Sequence, residues 1–326
     1  MPCPLAFVRQ PPLAVYVSPA DPAEDAKSSW ATHPFQASLA HVTLLNALLA
    51  PRHLIFTALE DALIDPTTNS FAGAEEALSE LERRKIAFIL LTTRTREEID
   101  PIRRKMGHNH PFVTENGGGI FFPDGYFSLR IPGSVRTARY LSIAQGKPYA
   151  EVCEALDEIA EENAVGVAGF HHMSLREIVD NTGMRPRNAE LARAREFDEP
   201  FFFTSADDKA IDRFVKAARE RGFDTRRGHT FWHLSSGCDS ARAVRTLAQL
   251  FREATHIKLS LVGIGGGDQD LPWLRTMDQA ILLPASSESV SHAEHPGPNP
   301  GHNKSIVVAD TPGAAGWNKT ILDIIG

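Results

Sequence analysis

The sequence contains little cysteine and no apolar run of the kind that spans a membrane. Its three cysteines, Cys3, Cys153 and Cys238, lack metal-ligand spacing and are too few for a disulfide framework, so we expect a reducing, cytoplasmic environment. Residues 28–51 carry no charge when histidine is neutral, but polar side chains interrupt them, whereas a spanning helix needs about 20 predominantly apolar residues. The first residues also lack the basic start of a signal peptide. We therefore expect no membrane contact.

Positive charge is scarce relative to negative charge. The 34 lysines and arginines are outnumbered by 41 aspartates and glutamates, which gives a net charge of −7. Because binding to a phosphate backbone needs a broad basic surface, we expect no nucleic-acid partner. The 23 glycines and 22 prolines are too few for a fibrous or disordered chain. A chain of 326 residues corresponds to about two globular domains.

From His53 onward, short apolar runs alternate with helical periodicity, which is typical of βαβ units around a parallel sheet. Strands are predicted at 54–57, 86–91, 112–114, 259–264 and 280–283, and helices at 74–84, 95–106 (broken or kinked at Pro101), 242–251 and 317–325. Outside this pattern, residues 35–49 predict a helix and residues 292–302 a surface loop.

Between residues 127 and 233 the composition shifts toward charged amphipathic helices, as in an inserted second domain. Helices are predicted at 148–163 and 207–221, strands at 201–204 and 230–234, and a capped helix between Ser174 and Gly183. We thus predict an N-terminal extension (1–50), a doubly wound α/β core with a parallel sheet (51–126 and 234–326), and an inserted α/β cap domain (127–233).

Several segments resemble a known phosphatase family. Residues 56–65 follow the first strand, and with the long insert between two α/β halves they resemble the haloacid dehalogenase (HAD) superfamily, whose first motif is Asp-x-Asp-Gly-Thr. Residues 91–95, 111–117 and 198–201 resemble the mannosyl-3-phosphoglycerate phosphatase family, as do 231–233 and 316–317. The resemblance runs from His53 to the end of the chain.

The resemblance implies an aspartyl-phosphate mechanism. One carboxylate attacks phosphorus, a second carboxylate two residues on acts as general acid and base, and Mg²⁺ neutralises the phosphoryl oxygens. Ala58 replaces the nucleophile and has no atom that can attack. Glu60 stands at the acid/base position, and Asp61 follows it, so these two are the remaining catalytic candidates. Alternation along a strand predicts Glu60 on the side of Ala58 and Asp61 on the other.

The metal-binding motif is also altered. The family's Gly-Asp-x-x-Asn-Asp reads Gly-Gly-Gly-Asp-Gln-Asp at 265–270, so Gly266 replaces one ligand, Asp270 is retained and Asp268 is new. Mg²⁺ prefers oxygen ligands in octahedral geometry, so the loss of carboxylates at 58 and 266 predicts weak or absent Mg²⁺ binding. Asp270 can instead cap the helix that follows it.

The phosphate-binding positions are partly retained. Thr92 can donate to a phosphate oxygen and Arg94 can pair with an anion. The family's lysine is missing near residues 237–243, where the position holds Cys238 or Ser240 and Arg242 is the only cation. The full set of candidate ligand-binding residues is Thr92, Thr93, Arg94, Asn116, Arg195, Glu199 and Arg242.

The spacing of four histidines favours structural roles over metal binding. His108 with His110, and His171 with His172, have no acidic or thiol partner at ligand spacing, which favours surface loops over metal sites. His229 and His233 flank a strand of the insert, and their roles as ligand contacts or as core histidines stay open.

Three functional hypotheses follow. The first is a phosphatase-like protein that has lost its chemistry and binds a small anionic, sugar-like metabolite, or a protein partner, in the core/cap cleft. The second is an active hydrolase, either a phosphatase with Asp61 or Glu60 as a shifted nucleophile, or an enzyme that uses Glu60 with Asp268 or Asp270 as a carboxylate pair on a sugar derivative. The third is a scaffold in which residues 1–50 carry the function.

Overall fold

The computed structural model describes residues 52–228, 231–284 and 305–326. Within these ranges the strands are β1 (Arg52–Ala58), β2 (Phe88–Leu91), β3 (Phe112–Thr114), β4 (Gly119–Pro123), β5 (Val135–Thr137), β6 (Tyr140–Ala144), β7 (Gly166–Gly169), β8 (Asp198–Ser205), β9 (Asp224–Arg227), β10 (Trp232–Ser235), β11 (Leu259–Gly265), β12 (Gln279–Leu282) and β13 (Ile306–Val308).

The α-helices in these ranges are α1 (Glu75–Arg84), α2 (Arg96–Met106), α3 (Tyr149–Glu162), α4 (Leu175–Thr182), α5 (Pro186–Arg193), α6 (Asp208–Glu220), α7 (Ser240–Thr255), α8 (Leu271–Leu274) and α9 (Gly313–Ile325). Short 3₁₀ turns cover Glu115–Gly117 and Asp268–Asp270. None of these helices has the length and apolar character needed to cross a bilayer. The predicted helix at 35–49, the loop at 292–302, His229 and the extension 1–50 lie outside the described residues.

A nine-stranded sheet has the order β13-β12-β11-β1-β2-β3-β4-β6-β5. The strands from β13 to β3 pair in parallel, and β4, β6 and β5 add an antiparallel edge. Buried parallel strands read as continuous apolar runs, and β1 fits this rule because Leu54, Ile55 and Phe56 are at most 1% exposed. The prediction of an α/β fold with a parallel sheet is confirmed.

A second, four-stranded antiparallel sheet has the order β7-β8-β10-β9. We call residues 149–228 and 231–235, which contain this sheet and helices α3–α6, the four-stranded unit. Its own core includes Leu156, Phe201, Phe214 and Leu234. Strands β5 and β6 fall inside the range predicted for the insert, yet they pair with each other and with β4 in the nine-stranded sheet. The proposed domain boundaries stay a prediction.

Helix ends follow the sequence signals closely. The Ser174 side chain accepts a hydrogen bond from the Glu177 amide, and the Glu177 side chain accepts one in return, so the predicted capping box is present. Gly183 ends α4 at φ 69°, in the left-handed region that glycine tolerates. Helix α2 begins with a second capping box at Thr95 and continues through Pro101 rather than ending there.

His108 and His110 lie in the loop between α2 and β3, as predicted, but His108 is buried and His110 half-buried rather than at the surface. His108 is buried and accepts a hydrogen bond at Nδ1 from Arg103 Nε (3.0 Å), while its Nε2 donates to the Phe88 carbonyl (3.0 Å). The Nδ1 atom of His110 shares a hydrogen bond of 2.8 Å with the Tyr126 hydroxyl. Burial, together with the Arg103 charge, holds the pKa of His108 well below its usual range and lowers that of His110 to about 4.

Because of these two histidines, the folded protein should lose stability as the pH falls. Both are neutral when folded but protonate near pH 6.5 when unfolded, so their stabilising contribution is complete above pH 6.5 and is lost as pH falls toward 4. Between pH 7 and pH 5, we expect the free energy of unfolding to fall by about 2 kcal/mol for each of the two histidines. Urea denaturation at the two pH values measures this change. The double variant His108→Gln/His110→Gln should lose most of this dependence. The exposed His256→Asn is the control, and an unchanged pH slope in the double variant would contradict the assignment.

Candidate functional site

Two cavities lie at the carboxyl ends of β1 and β2, where open α/β sheets bind ligands. The small cavity, of about 210 Å³, is lined by residues from both strand ends and from the loops after β3 and β11: Ala58, Glu60, Asp61, Pro66, Leu91, Thr92, Thr93, Asn116, Ser240, Gln269, Asp270 and Trp273. Six residues predicted for the site thus come together: Glu60, Asp61, Thr92, Thr93, Asn116 and Asp270. Ser240, rather than Cys238, is the residue near the missing lysine that lines this cavity.

Ala58 ends β1 and faces the small cavity with a methyl group. The preceding residue, Thr57, is fully buried and accepts a hydrogen bond from Trp317 Nε1 (3.0 Å), which ties the strand end to α9. Register with Leu91 in β2 fixes the height of Ala58 in the sheet. The position that the resemblance assigns to the nucleophile is therefore held in place by neighbouring contacts but carries no reactive group.

The side chain of Glu60 binds both retained phosphate-binding residues. Its Oε1 accepts a hydrogen bond from Thr92 Oγ1 (2.6 Å) and forms an ion pair with Arg94 Nε (2.9 Å). Arg94 also donates to Asn69 Oδ1 (2.6 Å) and to the Pro66 carbonyl (3.0 Å). Burial raises the pKa of Glu60, although Arg94 and Thr92 oppose the shift. A carboxylate of the chain itself therefore engages the groups that would bind a phosphoryl oxygen.

Asp61 lies beside Glu60 and lines the same cavity, and the strand alternation on which their predicted opposite orientation rested does not apply to them. Strand β1 ends at Ala58, so the alternation of side chains does not extend to these residues. Asp61 has φ 60°, in the left-handed region, and its carboxylate makes no hydrogen bond with any residue that the structure describes. Burial, with the Asp65 charge, raises its pKa.

The residues at the predicted metal site do not fit Mg²⁺. Asp270 Oδ2 accepts hydrogen bonds from the amides of Gly266 (2.8 Å) and Gly267 (3.2 Å), and its Oδ1 accepts one from Trp273 Nε1 (3.0 Å). Both carboxylate oxygens therefore bind the turn after β11 or the Trp273 indole, and the Asp270 side chain does not form the predicted cap of the following helix, α8. Ala58 offers no oxygen ligand on its side chain. Asp61 is the one carboxylate of the small cavity without a partner among the described residues.

Gly266 shows why a carboxylate is not accommodated at its position. A Cβ atom there would lie 2.8 Å from the Glu60 carbonyl oxygen and 2.8 Å from the Asp61 carbonyl carbon. Atoms at such distances overlap, and the obstructing atoms are backbone rather than the end of a flexible side chain. The segment after β1 thus lies in the space that an aspartate at 266 would require.

The large cavity, of about 560 Å³, lies between the nine-stranded sheet and the four-stranded unit. Its lining includes the cations Arg94, Arg185 and Arg195, together with His233 and the carboxylate Glu98. Apolar side chains complete the wall: Phe170, Met184, Leu191 and Phe231. This combination of positive charge and apolar surface suits an organic anion.

Arg195 is fully occupied by structural contacts. Its guanidinium pairs with Asp198 and with Glu115 Oε2 (3.5 Å), and it donates to the Thr93 carbonyl (3.2 Å). The Glu115 carboxylate accepts hydrogen bonds from the amides of residues 196, 197 and 198 at 2.8–3.2 Å, which fastens the four-stranded unit to the loop after β3. Burial alone would raise the pKa of Asp198, but its pairs with Arg195 and His233 outweigh burial and lower it.

Three predicted site residues lie away from both cavities. Glu199 is buried inside the four-stranded unit, bound to His171 and Tyr149. Arg242 donates to the carbonyls of Gln145 (3.1 Å) and Gly237, so its guanidinium does not replace the missing lysine. Asp268 is exposed and lines neither cavity.

Arg185 and Asn69 line the large cavity and were not predicted. Arg185 precedes α5 and forms no ion pair within the described ranges. Its only sequence signal is its place before Pro186, which marks a helix start but no ligand. Asn69 has φ 58° and holds Arg94, a role that no spacing in the sequence indicates.

The fold matches that of a haloacid dehalogenase-like hydrolase from Bacteroides thetaiotaomicron. The TM-score is 0.55 at 17% identity, and the match covers 84% of this chain and 99% of that chain. The chain therefore has the HAD fold. No protein-family model matches it.

Sequence relatives define the family. The chain is 32% identical over 275 residues to the glucosyl-3-phosphoglycerate/mannosyl-3-phosphoglycerate phosphatase of Persephonella marina, covering 83% of this chain and 97% of the relative. It is 29% identical over 280 residues to the phosphatase of the same name from Methanococcoides burtonii, covering 84% and 98%. The chain belongs to the mannosyl-3-phosphoglycerate phosphatase family of the HAD superfamily, and the predicted resemblance is confirmed.

Proposed function

We propose that this family member binds a small anionic sugar derivative in the large cavity and does not hydrolyse phosphate by the family's covalent route. The observation that carries the proposal is the binding of Glu60 to Thr92 and Arg94. Because the chain's own carboxylate satisfies these groups, a phosphoryl group entering the small cavity would meet a negative charge instead of a free cation. Ala58 and the blocked position at Gly266 support the same conclusion.

The large cavity supplies the recognition chemistry. Arg94 and Arg195 are neutralised by carboxylates, whereas Arg185 lines the cavity without an ion-pair partner in the described part of the chain. A guanidinium binds carboxylate or phosphate through paired donors. The names of the relatives suggest glucosyl-3-phosphoglycerate and mannosyl-3-phosphoglycerate as probes, each of which carries a phosphate and a carboxylate on a sugar conjugate.

Replacing Arg185 tests this binding mode. We expect Arg185→Met to weaken the binding of glucosyl-3-phosphoglycerate about 10-fold, because a charge-assisted hydrogen bond contributes about 1.5 kcal/mol. Isothermal titration calorimetry measures the change. Arg187→Met is the matched control, since Arg187 lies two residues further on, in α5, but outside the large cavity. Equal affinities of both variants and the unmodified protein would argue against recognition by Arg185.

A second function is favoured by Asp61. Its carboxylate lines the small cavity, is without a hydrogen-bonding partner within the described residues, and has a raised pKa. A phosphatase that uses Asp61 as a shifted nucleophile would form a phosphoenzyme at this residue. Hydrolysis that disappears in Asp61→Asn, with trapping of a phosphorylated protein in the unmodified chain, would support this function over simple binding.

A further inference from the structure

Two histidines and an aspartate face one another on the four-stranded unit, outside both cavities. His171 and His172 lie in the turn between β7 and α4, and Asp157 lies on α3. The distance from Asp157 Oδ1 to His171 Nε2 is 3.2 Å, and to His172 Nε2 it is 3.0 Å. The two imidazole rings lie on the same side of the turn, with centroids 3.7 Å apart.

A fourth residue orients His171 from behind. His171 Nδ1 lies 2.7 Å from Oε1 of Glu199, a fully buried carboxylate that also accepts hydrogen bonds from the His171 amide (3.0 Å) and the Tyr149 hydroxyl. With the proton on Nδ1, the lone pair of Nε2 is directed toward Asp157. A carboxylate behind the distal nitrogen of a histidine is the arrangement that metal-ligating histidines use.

The spacing of the three ligand atoms matches a small coordination sphere. Bonds of about 2.0–2.1 Å at tetrahedral angles place neighbouring ligand atoms about 3.3 Å apart. The contacts of 3.0 and 3.2 Å are close to this value, and all the ligand atoms of the group lie within 4.8 Å of one another. Two neutral nitrogens and one carboxylate form a donor set typical of Zn²⁺ rather than of Mg²⁺ or Ca²⁺, which prefer oxygen.

We propose that Asp157, His171 and His172 bind a divalent transition-metal ion, Zn²⁺, with Glu199 as a positioning residue for His171. Three protein ligands leave a fourth position open to water or another donor. One contact has to open on binding. His172 Nδ1 accepts a hydrogen bond from the Gly169 amide (3.2 Å), and metal binding through Nε2 moves the ring proton to Nδ1. The bound ion would join α3 to the turn after β7.

The test uses the full chain without an affinity tag, stripped of metal and titrated with Zn²⁺. We expect one equivalent of tightly bound Zn²⁺ by equilibrium dialysis with elemental analysis, and a Co²⁺ visible spectrum of tetrahedral type. Asp157→Asn and His172→Gln should each weaken this equivalent at least about 100-fold. Glu199→Gln should weaken it about 10- to 100-fold, as expected for a partner of a ligand. Asp157 is about half exposed, so its variant is expected to fold.

The control is Glu161→Gln, which removes the same charge from the same helix one turn away and should keep the equivalent. The chain has 13 histidines, so binding that survives in Asp157→Asn would place the ion elsewhere and overturn the proposal.

Cys153, His171 and Glu199 form a second group with ligand spacing. Loss of Zn²⁺ in Cys153→Ser but not in His172→Gln would assign the ion to that group and also overturn the proposal. Absence of binding at micromolar Zn²⁺ would leave His171 as a histidine paired with two carboxylates and would equally refute the site.

Discussion

Incubated with Mg²⁺ and glucosyl-3-phosphoglycerate, the purified protein is expected to release phosphate at least about 10⁴-fold more slowly than the Persephonella marina phosphatase assayed beside it. The covalent route has no nucleophile at Ala58. Two further losses act on the transferring phosphoryl group, because Asp270 is bound to the turn after β11 and Gly266 offers no ligand. Each lost electrostatic contact costs about 10²-fold or more in rate, and two such losses multiply.

Restoring the nucleophile alone is not expected to restore hydrolysis. In Ala58→Asp, Glu60 would still bind Thr92 and Arg94, and the new carboxylate would lie in a cavity that supplies no free cation. Adding Gly266→Asp forces a Cβ atom against the backbone of Glu60 and Asp61. A rate near that of the relative in Ala58→Asp would therefore contradict the structural account. A rate in the unmodified chain that vanishes in Asp61→Asn would instead establish the shifted nucleophile.

The sequence predicted where the site lies but not how its side chains pair. Thr92 and Arg94 were predicted from the phosphate-binding positions of the phosphatase family, and they line cavities at the ends of β1 and β2 because parallel strands bring their carboxyl ends to one edge of the sheet. The contact of Glu60 with both residues could not be predicted, because β1 ends at Ala58 and the following turn sets the side-chain direction. The prediction that Arg242 binds ligand was wrong for a similar reason. Its long side chain donates to carbonyls of neighbouring loops and does not reach the cavity.

The histidines illustrate the limit of local spacing. His171 and His172 have no acidic neighbour in sequence, yet Asp157, 14 residues before His171, meets them because α3 packs beside the turn after β7. His108 was expected in a surface loop; it lies in a loop, but its side chain is buried and accepts a hydrogen bond from Arg103 in the last turn of α2. The way helices and loops pack together determines which charged and polar side chains meet. Hydrophobic periodicity predicts the helices and strands but not these contacts between them.

Arg195→Met is expected to lower the free energy of unfolding by about 3–5 kcal/mol. The Arg195 side chain is 5% exposed, and it pairs with two carboxylates, Glu115 and Asp198, that are almost completely buried. Removing the guanidinium leaves two buried negative charges with only their amide and histidine partners. Urea denaturation measures the change. The neighbouring Arg193 is exposed, so Arg193→Met should change stability by no more than about 0.5 kcal/mol.

The pH dependence of this loss separates charge from packing. Without Arg195, the buried carboxylates have folded-state pKa values above those of the unfolded chain, so they bind protons in the folded state as pH falls. The deficit of Arg195→Met relative to the unmodified protein should therefore shrink between pH 8 and pH 5. Comparing the two proteins at each pH removes the acid effect of His108 and His110, which both share. A deficit that stays constant over this interval would show that lost packing of the arginine stem, rather than unpaired Glu115 and Asp198, accounts for the destabilisation.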